Sequence, residues 1–189
     1  MRDDPESAPA PSPDQRIDPA PAARRPLEGE ERLLAVEAGM RTGLALYART
    51  GRLLWVQSRH AGTLPGLRRV ASALVREASP LDHIVLEGGG AVGDVWRRAA
   101  AERGTPVVAV SAEVWRKRLL LDRQQRSGVQ AKRVAIGMAM EVLRWSQVKP
   151  PRSLSDDAAE AVLIGLWGVL HAGWLKDAPS FVPARGPHD

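Results

Sequence analysis

Four carboxylates stand where chemistry on a phosphate ester could use them. Glu37 closes the apolar run RLLAVE, residues 32–37, and Glu87 closes the apolar run HIVLE, residues 83–87. Asp157 and Glu160 lie three residues apart at the start of SDDAAEAVLIGLWGVL, residues 155–170. That spacing puts both acids on one face of a helix. The alanines around them let that face lie close to a sheet. If the two apolar runs are neighbouring strands, Glu37 and Glu87 meet at the carboxyl edge of the sheet, where open α/β sheets place their sites. Gly39 follows the first acid and Gly88 to Gly90 follow the second, and glycine admits close approach of a substrate or metal. Carboxylates gathered in a partly dry site repel one another, and a divalent cation relieves that repulsion. Hard oxygen donors, four histidines in all and no cysteine favour Mg²⁺ or Mn²⁺ over zinc. Two such ions about 3.5–4 Å apart can activate a water and stabilise the leaving oxygen of a phosphodiester. Each acid also has a plainer reading. A lone Glu at a strand end is commonly solvated, and Ser155, Asp156 and Asp157 suit a helix N-terminus. The order of all four along the chain is what singles them out.

The charge balance points the same way. The chain of 189 residues carries 27 Lys and Arg against 22 Asp and Glu, a net of +5. Residues 1–31 hold 4 basic and 8 acidic groups, which leaves a net of +9 on residues 32–189. Residues 111–152 alone hold 10 basic and 3 acidic groups. Such a density attracts phosphate, with an affinity that falls steeply with salt. Within it Trp115, Arg116, Lys117 and Arg118 are consecutive, Arg123 and Arg126 follow, and Lys132 and Arg133 open a long helix. Trp115 could stack on an unpaired base, or pack in the core as most tryptophans do. The other five tryptophans read as packing residues. His83 begins a strand and reads as structural, and no histidine stands beside the final acids.

The elements that must position these residues follow from patterning. Seven prolines fall within the first 26 residues, so 1–31 reads as a disordered, acidic, Pro/Ala-rich tail. Residues 32–178 read as one α/β domain, and 179–189 as a second loose end. The expected strands are 32–37, 44–49, 52–57, 83–87 and 105–110, with a Thr-Gly hairpin between the second and third. Leu67, Val70, Ala71, Leu74 and Val75 mark one face of a helix. Further helices are expected at 92–103, 129–145 and 156–172. Three strands, then strands alternating with helices, predict a mixed five-stranded sheet flanked by helices. No run approaches the roughly 18 apolar residues of a membrane span. The N-terminus lacks a signal-peptide pattern, so a cytoplasmic location is expected. The absence of cysteine excludes disulfides and thiol catalysis.

Residues 32–175 resemble the ribonuclease H-like superfamily, and within it the RuvC-type Holliday junction resolvases. Residues 32–47 look like the first hairpin of that family, 83–88 like the strand bearing its second acid, and Asp157-Ala158-Ala159-Glu160-Ala161 like its final motif. The resemblance implies that Glu37, Glu87, Asp157 and Glu160 form a metal-binding catalytic tetrad for Mg²⁺ or Mn²⁺. It implies endonuclease action on branched DNA, a homodimer, and DNA contacts from Lys117 and Lys132. Position 37 is Glu where the family has Asp. The extra methylene moves the carboxylate by about 1 Å, and a comparable misplacement can cost about 10²-fold in rate. A nucleic-acid-binding protein with a degenerate site is therefore the competing reading. A ribosomal RNA precursor nuclease of the same fold is another. An actin-like ATPase half would need a second such domain, and no P-loop motif is present.

Because the tail is acidic and the domain basic, removing residues 1–31 is expected to strengthen nucleic-acid binding at low salt. Filter-binding titrations of both chains check this; equal affinities would show that the tail masks nothing.

Overall fold

A computed structural model describes residues 31–121, 124 and 128–183. In chain order the elements are β1 (Arg32–Glu37), β2 (Arg41–Ala48), β3 (Leu53–His60), α1 (Leu64–Ala78), β4 (His83–Glu87), α2 (Gly90–Ala101), β5 (Val107–Val110), α3 (Ala112–Leu119), α4 (Gly128–Trp145) and α5 (Asp156–His171). The five strands form one sheet in the order β3-β2-β1-β4-β5. The β1–β2 and β2–β3 pairs are antiparallel, and the β1–β4 and β4–β5 pairs are parallel. This is the mixed five-stranded sheet that the patterning predicts. Among the described residues no helix is long and apolar enough to cross a membrane.

Period-2 alternation sorts the strand residues between two cores. Leu34, Val36, Leu44, Leu46, Ile84 and Leu86 face α1 and α2. Leu33, Ala35, Ala45, Tyr47 and Val85 face α3, α4 and α5. Both faces are buried, which is why β1 and β4 read as continuous apolar runs. Helix α5 is buried at every position from Ala158 to Val169 except Glu160. A helix that is apolar all round must be covered on all sides, and here the sheet lies on one side and α4 on the other.

Close approach of α5 to the sheet depends on missing side chains on both partners. A Cβ at Gly43 of β2 would fall 1.8 Å from the Asp157 carbonyl oxygen. On the helix, a Cβ at Gly165 would meet the Tyr47 ring at 2.2 Å, and one at Gly168 would meet Val85 at 2.8 Å. Tyr47 is fully buried and donates its hydroxyl proton to the Val162 carbonyl at 2.7 Å, tying β2 to the middle of α5.

Several boundaries differ from expectation. β3 continues to His60 because its polar end, Ser58 to His60, still pairs with β2; apolar patterning stops before it. β5 begins at Val107, after Pro106. Helix α3 was not among the expected elements. It is short, and Ser111 caps it by accepting from the Val114 N–H at 3.4 Å. Of the loose end expected over 179–189, residues 179–183 are described and 184–189 lie outside the described residues. Val182 is buried, and the Phe181 ring lies edge-on to Trp145 with centroids 6.2 Å apart, so the packed chain runs beyond 178. The disorder expected for the tail concerns residues that, apart from Glu31, lie outside those described; so do Arg123 and Arg126.

Gly43→Ala is expected to cost about 1–3 kcal/mol, the usual range for forced overpacking, or more because the obstruction is backbone. Gly137→Ala in α4, with no atom within 4 Å of the added Cβ, is expected to stabilise by about 0.4–1 kcal/mol. Urea denaturation of the two variants checks both signs.

Candidate nucleic-acid-processing site

The strand registers place five residues in one row across the carboxyl edge of β1 and β4. Ser58 pairs with Gly43, Gly43 with Glu37, Glu37 with Glu87, and Glu87 with Val110. Alternation puts Glu37 on the same face as Leu33 and Ala35, and Glu87 on the face of Val85. That is the face covered by α5. The first turns of α5 sit over the row because Gly43 leaves room for the Asp157 backbone. Asp157 and Glu160, three residues apart, then stand beside Glu37 and Glu87. All four sequence-predicted acids are brought to one place.

Their electrostatics show how close the gathering is. Glu37 is partly buried, and its pKa is pushed up to about 7. Burial is the largest cause, followed by the negative charges of Glu160, Glu87 and Asp157; a hydrogen bond from the Gly43 backbone opposes them. Glu87 is also raised, again chiefly by burial. The Trp115 indole N–H, donating to Glu87 Oε2 at 2.6 Å, and the Arg116 charge hold it down in part.

Three of the four acids have a side-chain donor. Trp115 serves Glu87. The Ser58 hydroxyl donates to Asp157 Oδ2. Arg116 Nη2 donates to Glu160 Oε1 at 2.8 Å, with the Arg116 side chain 31% and the Glu160 side chain 15% exposed. At the rim, Lys132 Nζ pairs with Asp156 Oδ2 at 2.9 Å, which raises the lysine pKa. By donor type the quartet suits a hard divalent cation: four carboxylates at one edge, with repulsion that a cation would relieve. In the present side-chain arrangement no three acidic or His groups among the described residues are gathered so as to hold one ion. For these acids to share an ion, their side chains would have to draw closer together than they are in this arrangement.

The basic residues divide. Lys117, Arg118, Lys132 and Arg133 are exposed, as a phosphate-binding surface needs. Trp115 is 0% exposed and its indole N–H is committed to Glu87, so base stacking by Trp115 does not fit the structure. The residue is both a packing element and a support for the acid. His83 packs edge-on against Trp174 at 5.4 Å between centroids, consistent with a structural role. Sequence reasoning missed Ser58 and the Arg116–Glu160 pair. Nothing in the local sequence marks Ser58, because its partner is set by strand register and the position of α5.

No protein-family model matches the chain, and no curated protein matches it in sequence. Solved structures do. The chain is similar to Thermus thermophilus RuvC in complex with a Holliday junction substrate, with TM-score 0.55 and 16% identity over 75% of this chain and 96% of that one. It is similar to a second Thermus thermophilus RuvC structure, with TM-score 0.53 and 15% identity over the same shares. The fold is ribonuclease H-like, and structurally the chain is RuvC-like.

Glu37 sets a pH dependence of stability. Its folded pKa of about 7 exceeds the ordinary 4.5, so ionisation favours the unfolded chain. The contribution from its protonated form is complete below about 4.5 and is lost as pH rises through about 7. Glu37→Gln, which cannot ionise, is expected to melt higher than the natural chain at pH 8. That gain should fade as pH drops through 7 and vanish near 4.5. Thermal melts across this range check it; a pH-independent difference would contradict the assignment.

Proposed function

We propose that the chain is a divalent-metal-dependent endonuclease acting on branched DNA such as Holliday junctions. The observation that carries this reading is the convergence of Glu37, Glu87, Asp157 and Glu160 at one sheet edge, close enough for three of them to raise the pKa of the fourth. Two further observations support it. The fold is that of RuvC, and the exposed cations Lys117, Arg118, Lys132 and Arg133 lie on α3 and α4, which bring Arg116 and Lys132 to the acids of α5.

In this reading Glu37, Glu87, Asp157 and Glu160 hold Mg²⁺ or Mn²⁺. When bound, the ions supply activation of a water and stabilisation of the leaving oxygen in phosphodiester hydrolysis. The remaining roles belong to the chain itself. Trp115 fixes the Glu87 carboxylate from a wholly buried position. Ser58 orients Asp157 from the neighbouring strand. The cations on α3 and α4 draw the phosphate backbone towards the edge. A homodimer, implied by the resemblance, would present two such edges to two strands, and light scattering at working concentration tests for it.

A second reading, structure-specific binding without cleavage, is favoured by two features. Glu37 is a methylene longer than Asp, and Arg116 already neutralises Glu160. A labelled four-way DNA junction with Mg²⁺ or Mn²⁺ separates the two. The natural chain is expected to nick the junction. Asp157→Asn is expected to lose more than the about 10–100-fold typical of losing a group that merely supports a metal ligand. Glu37→Asp is expected to cut faster. Binding without nicks, in the natural chain and in Glu37→Asp alike, would establish the second reading. Structured RNA in the same assay tests the alternative substrate.

A further inference from the structure

Helix α3 sends two consecutive side chains to two different acids of the site. Trp115 has no exposed surface and no room to leave Glu87. Arg116 is different. Its guanidinium holds Glu160 at 2.8 Å from a side chain 31% exposed, and it lies over the Trp115 ring at 5.0 Å from the centroid. Solvent therefore reaches the cation of this pair while the carboxylate is mostly enclosed. Lys117 and Arg118 follow it on the same helix and are exposed. Lys132 stands across from it on α4. A phosphate drawn to these charges meets Arg116 as well.

We propose that Arg116 is a resident counter-cation of the acid quartet that nucleic-acid phosphate draws away, so that polyanion binding and divalent-cation binding strengthen each other. The proposal rests on the reading of the quartet as a metal-binding site. Arg116 occupies Glu160 Oε1. While it does, an incoming divalent ion must share the carboxylate with a guanidinium and sit beside that positive charge. A phosphate gives Arg116 a better partner, because guanidinium and phosphate oxygens match in fork geometry. Withdrawing Arg116 leaves a mostly enclosed carboxylate without its counter-charge, a cost that an incoming divalent ion removes. With Arg116 neutralised, Glu160 is free and the local field is more negative. Linkage then makes the effect reciprocal: a bound divalent ion favours the phosphate-bound position of Arg116 by the same factor. In the absence of nucleic acid the pair also spares the protein an uncompensated fourth negative charge.

The test uses the full chain and begins with Mn²⁺ alone, read from the electron paramagnetic resonance signal of the free ion. Arg116→Gln and Arg116→Met are expected to bind Mn²⁺ about 5-fold tighter or more than the natural chain, the lower end of ordinary coupling. Lys117→Gln is expected to match the natural chain. A second arm measures the affinity of a labelled four-way DNA junction at constant ionic strength, with and without Ca²⁺. The natural chain and Lys117→Gln are expected to gain similarly from Ca²⁺, although Lys117→Gln binds more weakly throughout. For Arg116→Gln the gain is expected to shrink towards one. If both Arg116 variants bind Mn²⁺ no tighter than the natural chain, the counter-cation role is overturned and the metal site stands. If none of the chains binds Mn²⁺, the metal site falls and this proposal falls with it. An undiminished Ca²⁺ gain in Arg116→Gln overturns the coupling.

Discussion

Helix α5 lies against the sheet at backbone distance, and the candidate site exists because of that contact. With any side chain at position 43, the Asp157 backbone could not occupy its place over β2. With side chains at 165 and 168, the helix would stand off from Tyr47 and Val85. A helix held further out would carry Asp157 and Glu160 away from Glu37 and Glu87. The same contact explains the composition of α5. It is almost wholly enclosed, so its sequence is nearly all apolar, and its exceptions are the acids at its start and His171 at its end. The Tyr47 hydroxyl bonded to the Val162 carbonyl sets where along β2 the helix sits.

Gathering four acids at a half-dry edge costs stability, and the structure offsets that cost with four donors from three different elements. The Gly43 N–H of β2, Ser58 of β3, and Trp115 and Arg116 of α3 each serve one carboxylate. Glu37 is served least. It receives only the backbone bond and stands in the field of the other three, and it carries the raised pKa of about 7. This distribution makes α3 more than a connector. Its buried residue is part of the site's scaffold, and its partly exposed neighbour is the cation that solvent and phosphate can reach. The basic charge of residues 111–152 thus has an internal use at Glu160, while Lys117, Arg118, Lys132 and Arg133 stand exposed.

Likeness to RuvC at 15–16% identity, without a match in sequence, is understandable in these terms. Strand order and face assignment need only apolar alternation and small residues beneath α5. Many sequences satisfy that. The acids need only stand at the ends of β1 and β4 and on the first turns of α5. These requirements constrain few positions strongly.

Much of the fold was legible in the sequence because its signals are local. Apolar runs ending at Glu37 and Glu87, the helical spacing from Leu67 to Val75, and the i, i+3 pair Asp157 and Glu160 each declare themselves within one element. The grouping of the acids also followed, given that β1 and β4 are neighbours. What was not legible depends on register and on packing across elements. Ser58 reaches Asp157 only because β3 continues past its apolar run and aligns with Gly43. Val182 is buried against the larger of the two cores, although residues 179–189 read as a loose end. Trp115 offered two readings, and burial against Glu87 chose between them. By itself the sequence determined most of the elements, the mixed sheet and the places of the four acids along it, since periodicity and charge are properties of the chain. Only the tertiary structure decided which donors those acids receive, because Ser58, Trp115 and Arg116 lie 99, 28 and 44 residues from their partners and meet them only when α3, α5 and the sheet are packed together.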